Sequence, residues 1–167
     1  MERVTVLGGT GFVGRPLVTA LQLTGRTVRV ASRTSPQSAR NGVEHVRCDL
    51  ETGEGLDAAL NRAELVYFLV HGMAGGGDFA RRERMATDNF LAAAGRQSSG
   101  RVIYLGGLYP EGELSPHLQS RREVGLRLMD RTGALAIRAG VVVGAGGASF
   151  DILYGLSQRL PLMLAPR

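Results

Sequence analysis

Lysine is missing from this chain: all 20 basic residues among its 167 are arginine. That excludes any mechanism needing a lysine amine, such as a Schiff base, and also the Gly-Lys-Ser/Thr loop of P-loop nucleotide triphosphatases. Cysteine is reduced to Cys48. No intrachain disulfide can form, and the expectation is a reducing, cytoplasmic setting in which Cys48 is a buried strand thiol, not a nucleophile. With three histidines, one cysteine and no ligand spacing, no metal site is expected. Long apolar runs are also lacking, and nothing approaches the ~20 residues of a membrane span. The start, "MERVTVLGG", enters an apolar strand at once and leaves no room for a signal peptide. Acidic residues are absent from the whole interval between Glu2 and Glu44.

What is present is ordinary in bulk: 44% hydrophobic and 21% charged residues, enough for one domain with a real core. A net charge of +5 and a pI near 10.3 raise nucleic acid as a partner. The arginines, however, are spread along the chain, with dense runs only at Arg81-Arg82-Glu83-Arg84 and Arg121-Arg122, and no DNA- or RNA-reading motif accompanies them. Solvated helix faces and pockets for an anionic ligand account for the charge better.

Strand-like and helix-like segments alternate. Strands are predicted at 3–7, 27–32, 43–48, 64–70, 101–107 and 134–140. Helices are predicted at 12–25, 54–63, 78–96 and 116–133, with Phe79, Met85, Phe90 and Leu91 as core contacts of the third, and another amphipathic helix near the C-terminus. This pattern implies βαβ units: an α/β fold with a doubly wound parallel β-sheet, helices on both faces and three α/β/α layers, as one domain over 1–167. Fourteen of the 24 glycines fall in clusters at 8–14, 72–77, 106–107 and 140–147, each directly after a predicted strand. Ligands of open α/β sheets bind outside the carboxyl ends of the strands, and glycine there permits tight turns and close backbone approach.

The first cluster, Gly8-Gly9-Thr10-Gly11-Phe12-Val13-Gly14, contains G-x-G-x-x-G between a strand and a helix. That context makes it a dinucleotide loop, with free N–H groups at the helix start for a pyrophosphate. An NAD site usually has Asp or Glu about 20 residues further on; here the second strand ends at Ser32-Arg33, with Arg40 nearby. Arginine suits a 2′-phosphate, so NADP(H) is expected over NAD(H).

With these residues placed, the chain resembles the extended and atypical short-chain dehydrogenase/reductases along nearly its whole length. "GGTGFVG" is similar to their nucleotide loop. "CDL", with Asp49 and Leu50, is similar to the pair bordering the adenine, and "IRAGVVVGAG" to the segment after the sixth strand. "YFLVHGMAGGGDF", "ER" at 83–84, Asn89 and "LPLMLAPR" resemble a bacterial group of NAD(P)-binding proteins labelled nucleoside-diphosphate-sugar epimerases or NmrA-like. The resemblance implies a Rossmann-type NAD(P)-binding domain. It places Leu69, Val70 and His71 near the cofactor, His71 toward the nicotinamide half.

It also implies a Tyr-x-x-x-Lys pair on the helix after the fifth strand and a Ser or Thr at that strand's end. This chain has Gly106-Gly107 there, and His117-x-x-x-Arg121 on the matching helix. A histidine can exchange protons near neutrality, while Arg121 can donate to ribose hydroxyls and lower the histidine's pKa. His117 and Arg121 are therefore the candidate catalytic pair, with a degenerate, solvated helix start as the alternative. His45 reads as structural; Glu83 and Arg84 read as a local surface ion pair, with a substrate-facing contact as the alternative.

The leading expectation is an NADP(H)-dependent oxidoreductase acting on a small carbonyl or alcohol. A non-catalytic NADP(H)-binding redox sensor is the alternative, and a sugar-nucleotide epimerase comes third, because the missing Tyr and Lys are what that chemistry uses. Residues 150–167 read as the start of a substrate-covering region. Its apolar end, Leu160–Leu164, reads as a strand start whose exposure would favour self-association.

Overall fold

The computed structural model describes residues 2–34, 42–71, 78–97, 100–140, 142–144 and 147–159. Arg40, the glycine cluster at 72–77 and Leu160–Leu164 lie outside them. In chain order the elements are β1 (Arg3–Leu7), α1 (Gly14–Leu23), β2 (Thr27–Ser32), β3 (Val43–Arg47), α2 (Leu56–Leu60) and β4 (Leu65–Phe68). They continue with α3 (Phe79–Gln97), β5 (Arg101–Gly107), α4 (Pro116–Thr132), β6 (Leu135–Ala139) and α5 (Ala148–Arg159).

All five strand pairings are parallel, and the sheet order is β3-β2-β1-β4-β5-β6. β1 and β2 are buried on both sides, which is why they read as nearly unbroken apolar runs. Val4, Val6, Val28 and Val30 pack with Val18 and Leu21 of α1. On the opposite face Leu7, Val66, Phe68, Val102 and Tyr104 pack with Leu56 and Leu60 of α2, Phe90 of α3, and Val124 and Leu128 of α4. Helices thus cover both faces, as the doubly wound pattern requires. The connections leave β1 and β4 in opposite directions, so the crevice between their carboxyl ends is the topological switch point where such sheets bind ligands.

Element ends moved where local geometry overrides periodicity. The helix predicted from residue 12 begins at Gly14, because Gly8 (φ +86°) and the Gly11 N–H donating to the Gly8 carbonyl keep 8–13 as a turn. α2 is shorter than the predicted 54–63, since Gly55 before it and Arg62 after it both have positive φ. α4 starts after Ser115, whose Oγ accepts from the Leu118 N–H, with Pro116 next; it ends at Gly133 in the left-handed conformation. Met85 is not a core contact: it is 41% exposed, whereas Phe90 is fully buried. Buried Ala86, Thr87, Phe90, Ala93 and Ala94 show that the inward stripe of α3 misses position 85.

One charge is folded inside. Arg29 of β2 is 3% exposed and donates through Nη1 to the carbonyls of Ala59 and Asn61, both at 2.9 Å, while Nη2 pairs with Glu44 at 3.1 Å. It ties the C-terminal end of α2, whose carbonyls have no helical partner, to the sheet.

Candidate functional site

Two adjoining cavities open along the carboxyl ends of the strands. The first, about 420 Å³, is lined by Gly8, Thr10, Gly11, Ser32, Arg33, Asp49, Leu50, Leu69, Val70 and His71, among others. The second, about 580 Å³, is lined by Phe12, Val13, Gly14, Gly106, Gly107 and Arg121, and shares Gly8, Gly11, Leu69 and His71 with the first. All the residues predicted to hold a dinucleotide therefore face one groove except Gly9, which is packed beneath it.

The glycine loop is dictated by contact distances. A Cβ on Gly14 would lie 2.6 Å from the Gly9 Cα, and one on Gly9 would lie 2.9 Å from Val30 Cγ2. Only glycine lets α1 start this close to the β1 end. Arg15 adds a clasp, its Nε donating to the Thr10 carbonyl at 2.7 Å. Phe12 reaches across to the segment after β6, where a Cβ on Gly147 would sit 2.9 Å from its ring. This geometry fits a dinucleotide: the cradle is one that side chains would fill, and the groove spans the switch point.

At the first cavity's far end Arg33 is exposed on the wall, and the Ser32 Oγ donates to the Thr34 carbonyl at 2.7 Å. Asp49 forms a tight turn: its Oδ1 accepts from the Glu51 N–H at 2.8 Å and its carbonyl from the Gly53 N–H at 2.8 Å. Asn89 of α3 pins that turn, its Nδ2 donating to the Leu50 and Glu51 carbonyls, each at 2.9 Å. Asn89 belongs with the residues the sequence reading passed over as contacts. Cys48 lines the cavity but is 4% exposed, and burial, with Asp49 beside it, pushes its thiol up to about 11.

The groove's middle carries the titratable groups. His71 follows β4, touches both cavities and meets the Tyr104 ring edge-on at 6.3 Å between centroids. Burial first, and the Arg121 charge second, hold its imidazole down to about 4, so it is neutral at pH 7. Tyr104 is 1% exposed, donates to the Arg121 carbonyl at 3.1 Å, and is pushed well above its ordinary range by burial. Glu83 lines the first cavity and accepts a hydrogen bond from Ser120 of α4, while Arg84 pairs with Glu123 at 3.5 Å. The local Glu83–Arg84 pair expected from adjacency is thus replaced by two contacts across the α3–α4 seam. The signal was legible: Glu83 and Thr87, four apart, interrupt the apolar stripe of α3.

His117 and Arg121 are not brought into one cavity. Arg121 lines the second. His117 is exposed and stacks on Phe79, with ring centroids 3.9 Å apart and planes 18° apart. Both side chains share the helix face that carries Val124 and Leu128. At the first turn of α4 that face meets the start of α3 instead of the sheet. The empty place of the expected Ser or Thr is also explained locally: a Cβ on Gly106 would meet Tyr104 Cε1 at 3.0 Å and Tyr109 Oη at 3.3 Å. The edge of the Tyr104 ring and the Tyr109 hydroxyl border the space a side chain would take.

Among the described residues no group of three or more His, Cys, Asp or Glu could hold a metal ion, and no helix is long and apolar enough to cross a membrane.

Residues 4–125 match the family described as "NAD dependent epimerase/dehydratase family". The chain is 33% identical over 168 residues to the ceramide reductase of Caulobacter vibrioides, covering 96% of this chain and 52% of that protein. It is 29% identical over 188 residues to the dTDP-6-deoxy-L-talose 4-dehydrogenase (NAD(P)(+)) of Kitasatospora kifunensis, covering 95% and 58%. The chain therefore spans little more than half the length of these curated relatives. Among solved structures, Pen from Bacillus thuringiensis superposes with a TM-score of 0.77 at 14% identity, covering 95% of this chain and 56% of that one, a likeness of fold.

Proposed function

Because the chain belongs to the NAD-dependent epimerase/dehydratase family, we propose that it holds NADP(H) along this groove and serves hydride transfer on a small carbonyl or alcohol. The observation that carries the reading is the Gly14–Gly9 contact at the start of α1, in the same groove as Arg33 at the end of β2. In this reading the α1 N-terminus and the Gly8–Gly14 turn take the pyrophosphate, Arg33 takes the 2′-phosphate, and Asp49 and Leu50 border the adenine. Leu69, Val70 and His71 lie beneath the middle of the molecule, and the second cavity takes the nicotinamide half. Bound there, the cofactor would supply or accept the hydride.

The protein's own part is orientation and charge. Arg121 donates to ribose or substrate oxygen and carries a fixed positive charge that stabilises an oxyanion; it is no acid or base near pH 7. Neutral His71 offers one N–H donor and one acceptor beside it. His117, on the outer side of the stack with Phe79, fastens the starts of α3 and α4 in this reading, and Arg121 alone of the pair faces the chemistry. The ceramide reductase and the talose dehydrogenase are both named as oxidoreductases, which supports redox chemistry over epimerisation.

A second reading, an NADP(H)-binding sensor without turnover, is favoured by one observation: Tyr104 and Tyr109 border the space where a catalytic hydroxyl would stand at Gly106. Titration calorimetry with NADPH and NADH, followed by carbonyl-dependent NADPH oxidation, decides. Tighter NADPH binding with turnover supports the first reading and tight binding without turnover the second. Absence of dinucleotide binding sinks both.

A further inference from the structure

The second cavity has an outer wall that a dinucleotide does not account for. On the cofactor reading above, its floor of Phe12, Val13 and the glycine turn belongs to the nucleotide. Its lining also includes Leu108, Leu118, Ala139 and Val142. Leu108 is 57% exposed and Val142 44%, and neighbouring Val143 is 60% exposed. Large apolar side chains left to water together at the rim of a cavity mark a binding surface, because covering them gains roughly 25 cal/mol per Å².

Polar partners are scarce on the same surface. Among the described residues lining this cavity, only Arg121 and His71 have polar side chains. A sugar nucleotide presents several hydroxyls and a charged diphosphate, and each polar group buried without a partner is costly. Two donors lining one apolar cavity suit an oxygen atom at the end of an apolar body, the usual arrangement of a site in which few polar groups set orientation. Glycine at 107 lets Leu118 pack close against the end of β5, where a Cβ would press on Leu118 Cδ2 at 3.2 Å.

We propose that the second cavity selects an apolar carbonyl compound, its oxygen toward Arg121 and His71 and its hydrocarbon body against Leu108, Leu118 and Val142. The two side chains supply N–H donors to the carbonyl oxygen, and the wall supplies affinity in proportion to the hydrocarbon it covers.

The test uses the full chain with NADP⁺ present. A series of 2-alkanones from 2-butanone to 2-nonanone, and UDP-glucose as the polar competitor, are titrated calorimetrically. Affinity should rise about fourfold per added methylene until the wall is covered, and UDP-glucose should bind more weakly than 2-nonanone. Leu108→Ser or Val142→Ser, each at an exposed position, should weaken 2-nonanone severalfold and leave 2-butanone nearly unchanged. A flat series overturns the proposal, as does UDP-glucose binding tighter than every alkanone or a rising series indifferent to both substitutions. The same titrations without cofactor separate the two readings: a rising alkanone series in a protein that binds no NADP⁺ sinks the cofactor reading alone.

Discussion

Replacing Arg33 by Ala should change which cofactor the protein prefers without changing its fold. Arg33 stands one residue past β2, exposed on the wall of the first cavity. The chain has no acidic residue between Glu2 and Glu44 to receive a ribose 2′-hydroxyl in its place. A charge-assisted contact to phosphate is worth about 1.5–3 kcal/mol, and exposure to water selects the lower end. Roughly 1.5 kcal/mol corresponds to about a tenfold loss of NADPH affinity, while NADH, lacking the phosphate, should bind as before. The contact is screened by salt: the Debye length falls from ~10 Å at 0.1 M to ~3 Å at 1 M ionic strength, so wild type should lose much of its NADPH preference in high salt. Arg33→Lys should recover part of it as a point charge without the bidentate fork. Calorimetric titration of both cofactors at the two salt concentrations reads all of this. Equal losses for NADPH and NADH, or a preference that ignores salt, would refute the assignment of Arg33 to the 2′-phosphate.

Four further outcomes follow from the same structure. Gly14→Ala places a Cβ against Gly9 and should cost about 2–3 kcal/mol in urea unfolding and abolish dinucleotide binding; an unchanged midpoint and affinity would contradict the loop geometry. Arg29→Met strips the Asn61 carbonyl of its donor and should lower stability by about 3 kcal/mol, read as a lower urea midpoint. Arg121→Leu should weaken NADPH or slow turnover at least tenfold while His117→Ala leaves both within twofold, and the reverse ranking would return the proton role to His117. Neutral His71 has its pKa depressed from 6.5 to about 4 in the fold. Between those values the unfolded chain takes up the proton first, so stability is full above pH 6.5 and is lost as pH falls toward 4, by roughly 3 kcal/mol. His71→Gln should flatten that part of the unfolding-versus-pH curve, and an unaltered slope would show that His71 does not cause it.

Strand positions and the dinucleotide loop were legible because their signals are local. β1, β2 and β5 coincide with the predicted 3–7, 27–32 and 101–107, since short apolar runs bounded by Gly or polar residues have one good solution in a parallel sheet. Gly8 to Gly14 and Arg33 were read from their spacing after those strands, and Asp49 and Leu50 from the resemblance to short-chain dehydrogenase/reductases; all but Gly9 line the two cavities. Asn89 was not found as a contact, because its partners, the Leu50 and Glu51 carbonyls, lie 39 and 38 residues away in sequence. Nothing in its own helix announces them.

The amino-acid sequence by itself determined which side chains are available: a chain with no lysine has no Tyr-Lys pair, and glycines stand after its strands, where Gly8, Gly11, Gly14, Gly106 and Gly107 line the two cavities. Only the tertiary structure decided how the polar residues were shared out. Helical spacing put His117 and Arg121 on one face, but which part of that face meets the sheet depends on where α4 crosses α3 and β5. That crossing leaves His117 on Phe79 and Arg121 in the lining of the cavity that His71 also borders, because the packing of Val124, Leu128 and Tyr104 sets the helix's depth. Side-chain periodicity carries direction; only packing carries distance.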